Sequence, residues 1–258
     1  MTEIMQPPAY LSPSSMATFK QCPLKFRLSR IDLLPDEPSE ATLLGNFVHE
    51  VLEEFYTFDA AERTQAKAKQ LSKIVWDERG WEERVLPWIS PSPDALRMFR
   101  WNAWWCIENL WKVEQPESVS VHAIEYELDG ELGGVRLRGF IDRFSLDDST
   151  ITISDYKTGK VPNKKWASDK FLQLEIYASL SEQLEIGKCS SLELLYLKEG
   201  VKLQKDFTEK DKANTIAYVQ NTKSEVDACC ESGFFPTSKS ILCNWCAYKP
   251  ICPAWTSV

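Results

Sequence analysis

Between residues 118 and 157 the hydrophobic pattern changes period, and this change restricts the chain to folds that join a sheet to helices. Segments 118–128, 135–146 and 150–157 alternate apolar and polar residues, the period-two pattern of half-buried strands. Gly133-Gly134 and Asp147-Asp148-Ser149 supply turn chemistry between them. On either side the spacing is helical. Ser12 as a cap and Pro13 at the first helical position predict a helix to about Arg30 that carries Cys22. Leu44, Phe47, Val48, Val51, Leu52 and Phe55 predict an amphipathic helix over 41–58. A Lys/Gln-rich stretch predicts a further helix, which Pro87, Pro91 and Pro93 end. Residues 93–112 carry Phe99, Trp101, Trp104, Trp105 and Ile107 at helical spacing, which predicts a buried or nearly buried helix. Helices over 170–184 and 209–230 frame a hairpin of 191–197 and 201–207. This order predicts an α/β fold with a helical N-terminal insertion. The expectation is one domain over 1–258, with sub-regions 1–40, 41–117, 118–207 and 208–258.

The acidic residues of the strands are placed where chemistry is possible. Asp155 and Lys157 are two apart in a strand and share a face. Asp142 ends Gly139-Phe140-Ile141-Asp142 in the preceding strand, and hairpin pairing can bring it beside Asp155. Two adjacent carboxylates repel unless a proton or a cation lies between them. A hard divalent ion such as magnesium suits them, and a water held by such an ion can attack phosphorus. Lys157 could orient that water or stabilise charge on a phosphate. Asp-x-Lys alone is common in surface salt bridges. Here the pair closes an apolar strand just before the turn Thr158-Gly159, a place where sites often form.

Gln173 and Tyr177 stand four apart on a predicted helix and share a face; either could meet a phosphate or simply line a half-buried surface. His49, between the core positions Val48 and Leu52, is either a buried histidine bonded to backbone or a further metal ligand. Glu125 could reach the acidic pair, although its place in a strand suggests the surface.

The ordered set Gly45-x3-His49, Gly139-Phe140-Ile141-Asp142, Asp155-Tyr156-Lys157-Thr158-Gly159 and Gln173-x3-Tyr177 resembles the RecB-like branch of the PD-(D/E)XK nucleases. That branch includes the RecB and AddB nuclease domains and the CRISPR-associated RecB-like exonucleases. The resemblance spans nearly the whole chain and implies a restriction-endonuclease-like core, a mixed sheet flanked by helices. It implies that His49, Asp142, Asp155 and the Tyr156 carbonyl bind magnesium or manganese. It makes Asp142, Asp155 and Lys157 the catalytic set, and it places Gln173 and Tyr177 on the DNA path. The second acid is Asp where many relatives have Glu, and the superfamily accepts either.

The chain has eight cysteines. Three of them form Cys243-x2-Cys246-x5-Cys252, which suggests a metal centre that needs one remote ligand, and Cys22 is the candidate. Structural zinc usually takes two close pairs, whereas three clustered thiolates plus one remote suit an iron–sulfur cluster. The same one-plus-three arrangement resembles iron–sulfur RecB-like nucleases such as AddB. A [4Fe–4S] cluster is therefore expected, with zinc as the alternative, in a structural role that ties both ends of the chain to the core.

Composition limits the rest. The net charge of −8 argues against broad nonspecific nucleic-acid binding, so DNA must meet a local basic groove with strong salt sensitivity. Lys20, Lys25, Arg27 and Arg30 flank Cys22, and Lys157, Lys160, Lys164, Lys165 and Lys170 follow the acidic strand as candidate phosphate contacts. No apolar run is long enough for a membrane helix and no signal segment opens the chain, so the expected address is the cytoplasm. No Gly-x4-Gly-Lys-Ser/Thr loop is present, so a helicase or another repair protein is an expected partner. The expectation is a DNA exonuclease acting on single strands or ends. The alternatives are a non-catalytic DNA-end-binding subunit and a zinc-stabilised protein of unrelated role.

Overall fold

The computed structural model describes residues 5–92, 94–147, 150–163 and 168–256. The chain forms two compact units. One comprises the described residues within Met1–Glu37, Leu128–Gly139 and Glu209–Val258, and the other comprises those within Pro38–Glu127 and Phe140–Thr208.

The second unit opens with helices. In α3 (Glu40–Tyr56) the Ser39 hydroxyl caps the first turn by accepting from the Thr42 amide. Its apolar stripe buries Phe47, Val48, Val51, Leu52 and Phe55 at the spacing the sequence predicts, but it begins with Leu43 rather than with Leu44, which is only half-buried. Thr64 caps α4 (Gln65–Glu78) in the same way. Then come α5 (Trp81–Val85), α6 (Ala95–Glu108) and α7 (Leu110–Val113). The Phe47 ring meets Trp76 and Trp81 edge-on, with centroids 5.4 and 5.2 Å away, at the middle of this core.

The sheet follows, with strand order β1-β2-β3-β4-β5. Its strands are β1 (Val121–Leu132), β2 (Val135–Asp147), β3 (Thr150–Lys157), β4 (Lys188–Tyr196) and β5 (Val201–Asp206). β3 runs antiparallel to β2 and parallel to β4, so the sheet is mixed. A parallel step needs a crossover, and α8 (Leu172–Gln183) supplies it. β3 is thus a central strand, and its last residues emerge at its carboxyl end, the side where open α/β sheets bind ligands.

The first unit contains α1 (Pro13–Gln21), α2 (Pro23–Phe26), the outer parts of β1 and β2, α9 (Glu209–Ser232) and α10 (Pro253–Thr256). Gly133 and Gly134, with φ of +60° and +80°, form the two-residue turn between β1 and β2. Leu11 pairs with Leu137 through two backbone hydrogen bonds of 3.0 Å.

Three features depart from the sequence reading. The helix expected from Pro13 to about Arg30 breaks at Cys22, which is extended (φ −161°, ψ 105°) because Pro23 crowds the helical conformation of the residue before it. β1 runs on to Leu132 because the Gly-Gly turn, not residue 128, ends the pairing. α6 is only half-buried: Phe99, Ala103, Cys106 and Ile107 face the core, while Met98, Trp101 and Trp105 are exposed.

Candidate metal centre

β2 and β3 bring the acidic residues together. Their register pairs Arg143 with Ser154, the neighbours of Asp142 and Asp155, and the charge of Asp155 reaches the Asp142 carboxyl. Asp142 Oδ2 accepts the Tyr156 amide hydrogen at 2.9 Å. Lys157 Nζ lies 2.6 Å from Asp155 Oδ2, on the face the two-residue spacing requires. Apart from that ammonium, this buried oxygen has no donor among the described residues.

α3 adds His49 from across the unit. Its Nδ1 is 3.4 Å from Asp142 Oδ2, and its Nε2 is 2.9 Å from the Tyr156 carbonyl oxygen. One turn earlier, a Cβ at Gly45 would stand 3.4 Å from Thr158 Oγ1, so α3 runs close against the turn that follows β3.

β1 contributes Glu125. The side chains of His49, Glu125 and Asp142 offer ligand atoms within 4.8 Å of one another, the one such group of metal-binding side chains among the described residues. The sequence suggests a surface place for Glu125, but its backbone has φ of +45° in mid-strand. This kink breaks the alternation of β1 and turns the carboxylate inward.

Electrostatics fit a cation. Burial, and then the neighbouring Asp155, push the Asp142 carboxyl up to about 7, against the opposing pull of His49, the Tyr156 amide and Lys157. Glu125 is likewise raised, first by burial and then by Glu53. Burial alone would lower the Lys157 ammonium, but Asp155 and Asp142 together hold it above its ordinary value. Such a cluster carries surplus negative charge that a divalent ion would neutralise.

α8 sets Gln173 and Tyr177 beside the acids. Burial pushes the Tyr177 hydroxyl up to about 12, with a hydrogen bond from Gln173 opposing and the charges of Asp155 and Asp142 adding.

The reverse face of the same strands is held by Arg143, next in sequence to Asp142 and pointing the other way. Its guanidinium bonds both Glu114 oxygens at 2.6 and 2.8 Å, the Tyr156 hydroxyl at 3.2 Å and Ser154 Oγ at 3.1 Å. It also lies 4.7 Å from the centre of the Tyr56 ring. This network fixes the strand segment whose peptide groups meet His49 and Asp142.

In the first unit, Cys22, Cys243, Cys246 and Cys252 line one cavity of about 50 Å³ together with Lys25, Lys249 and Trp255. All four are half-buried free thiols. The Ser240 amide, 3.4 Å from the Cys243 sulfur, holds that thiol below its ordinary range. Cys22 and Cys252 each precede a proline that starts a helix, so both sit at breaks where the side chain is free to turn inward. By contrast, burial pushes the Cys106 thiol up to about 11 and that of Cys189 to about 12, as suits packed, unreactive thiols.

The expected basic contacts are only partly free. Lys20 pairs with Glu225 at 2.7 Å, Arg27 with Asp32 at 3.1 Å and Lys25 more loosely with Asp36 at 3.9 Å. Lys164 and Lys165 lie outside the described residues. No helix among the described residues is long and apolar enough to cross a membrane.

Comparison with known proteins gives the family and the fold. The sequence profile of the PD-(D/E)XK nuclease superfamily matches residues 10–253. The Gene 69 protein of Mycobacterium phage L5 is 25% identical over 290 residues, covering 95% of this chain and 96% of its own. The Gene 69 protein of Mycobacterium phage D29 is 26% identical over 221 residues, covering 69% and 70%. The crystal structure of a protein named "Putative exonuclease" from Eubacterium rectale shares the fold with a TM-score of 0.59 at 15% identity, over 93% of this chain and 87% of that one.

Proposed function

Because the chain belongs to the PD-(D/E)XK nuclease superfamily, we propose that it is a divalent-metal-dependent deoxyribonuclease of the RecB-like branch. Its substrate is DNA, taken as single strands or from ends, in repair, recombination or related DNA processing in the cytoplasm. The observation that carries this reading is the grouping of His49, Glu125 and Asp142, with the Asp155–Lys157 pair close enough for its charges to act on Asp142.

His49, Asp142, Asp155 and the Tyr156 carbonyl would hold magnesium or manganese, and Glu125 would add a third carboxylate to the set. When bound, the cation supplies Lewis-acid polarisation of the phosphate and makes a nearby water more acidic. Asp142 must give up the proton that burial favours before it can serve as a ligand. Lys157 holds its ammonium on the same face and stabilises negative charge developing on the phosphate. Gln173 and Tyr177 bond the strand beside the acids and orient the scissile group. Unwinding, where it is needed, comes from a helicase or another repair protein.

The four cysteines of the first unit line one cavity, and we assign them to a [4Fe–4S] cluster rather than zinc on their spacing, three clustered thiols and one remote. The cluster's role is structural.

The test is digestion of end-labelled and circular DNAs by anaerobically purified protein, with magnesium or manganese. Asp155→Ala and Lys157→Ala are each expected to lose at least about 10²–10³-fold in cleavage while folding normally. Undiminished cleavage by either variant would reject the assignment. Tight binding to DNA ends with no cleavage by the unaltered protein would instead favour a non-catalytic end-binding subunit.

A further inference from the structure

The second unit holds a cleft that the metal centre does not use. Lys69, Lys73 and Trp76 lie along one face of α4, and Arg100 and Trp104 lie one turn apart on α6. With Phe47 of α3 at the floor, they line a cavity of about 230 Å³. No acidic side chain lines it. In a chain of net charge −8, this is a local concentration of positive charge. Among the described residues, none of these three cations makes an ion pair. Two of them lie over rings instead: Lys69 Nζ is 5.7 Å from the centre of Trp104, and Arg100 Cζ is 5.0 Å from that of Trp76. Lys69, Lys73 and Arg100 are exposed, Trp104 is half-buried, and Trp76 and Phe47 are buried beneath them.

Three exposed cations in a cleft that no carboxylate lines attract an anion. Trp104, half-buried with Lys69 over it, places an aromatic ring among them. Phosphate groups joined to planar rings at short intervals satisfy both features, and that is the chemistry of an unpaired nucleic-acid strand. A duplex would present its phosphates but keep its bases stacked away from Trp104.

We propose that this cleft is an accessory subsite for single-stranded DNA. Lys69, Lys73 and Arg100 contact successive phosphates, and Trp104 stacks on a base. The proposal rests on the nuclease reading for its choice of DNA. It gives that reading a means of holding the strand away from the metal centre, since Phe47 and His49 project from different sides of α3.

The test measures fluorescence anisotropy of a labelled oligothymidylate about twenty nucleotides long, with calcium in place of magnesium and manganese, over a salt series. The triple variant Lys69→Gln/Lys73→Gln/Arg100→Gln is expected to bind at least about tenfold more weakly at low salt, with a salt slope shallower by about 2, since each lost contact to a single strand removes about 0.7. Trp104→Ala is expected to lose about tenfold with the slope unchanged, and Trp104→Phe to recover most of that loss. Circular-dichroism melting checks that the variants fold. Should the triple variant not fold, Lys73→Gln alone must lower the slope by about 0.7. Wild-type affinity and slope in the folded triple variant would overturn the proposal. So would weakening confined to blunt duplex. An unaltered protein that binds the oligonucleotide but never cleaves it with magnesium or manganese removes the nuclease reading and leaves the cleft standing. A triple variant that cleaves and binds like the unaltered protein does the reverse.

Discussion

Arg143 and Glu125 show how much of the candidate metal centre involves residues beyond the acid–acid–lysine set. Arg143 is buried and answers Glu114 with two short hydrogen bonds. Replacing it by Met would leave the Glu114 carboxylate buried without its cation, so Arg143→Met is expected to cost about 3–5 kcal/mol in urea unfolding. A cost below about 1 kcal/mol would mean that the strands hold their shape without this network. Glu125 acts more directly: Glu125→Gln keeps the shape but removes a charge, and should weaken manganese binding by about tenfold in calorimetry. Equal affinity would place Glu125 outside the ligand set. Of these residues, Asp142, Asp155 and Lys157 were legible in the sequence because strand alternation sets their faces. Glu125 was not. Its inward turn depends on a left-handed backbone at a non-glycine residue, which costs about 1–3 kcal/mol and which no local pattern announces.

At the scale of elements, the sequence was most readable where one local rule acted alone. The stripe of α3 and the period of β2 and β3 follow directly from hydrophobic spacing. The N-terminal helix misled because its good start signal, Ser12-Pro13, was followed by a second proline whose effect falls on Cys22. The exposure of Trp101 and Trp105 also could not be read from helical spacing, which gives the faces of a helix but not which of them is covered. The β1–β2 turn gives a check. Gly133 has φ of +60°, and an added Cβ would meet Ile216 Cγ2 at 2.9 Å. Gly133→Ala should therefore lower stability by about 1–3 kcal/mol in thermal unfolding, while Gly134, whose Cβ would meet nothing within 4 Å, should cost less when replaced. Equal costs at the two positions would show that backbone strain dominates and contact with Ile216 does not.

On the scale of the molecule, the first unit gathers segments from both ends of the chain around a small cavity lined by four cysteines. A group bridging Cys22 to the C-terminal triplet closes nearly the whole chain into a loop, which in long disulfide loops contributes about 4–5 kcal/mol. If the proposed [4Fe–4S] cluster is that group, the anaerobic protein is brown and holds iron, and Cys22→Ser is expected to abolish both and to lower stability by a comparable amount. Stoichiometric zinc in the unaltered protein, or unchanged stability in the variant, would refute that role. The two units cut across the strands β1 and β2, a division that no change of composition along the chain marks. The joining of the two ends was suggested only by the cysteine spacing.

α3 has a consequence of phase. Phe47 and His49 are two residues apart on it, so they point about 200° from each other around its axis. One points toward the floor of the basic cleft, the other toward the Tyr156 carbonyl. A single residue inserted between them would rotate one relative to the other by about 100°. The helix could then be correctly phased for the cleft or for the carbonyl, but not for both. Its length can drift at either end, whereas the two-residue interval between these side chains cannot.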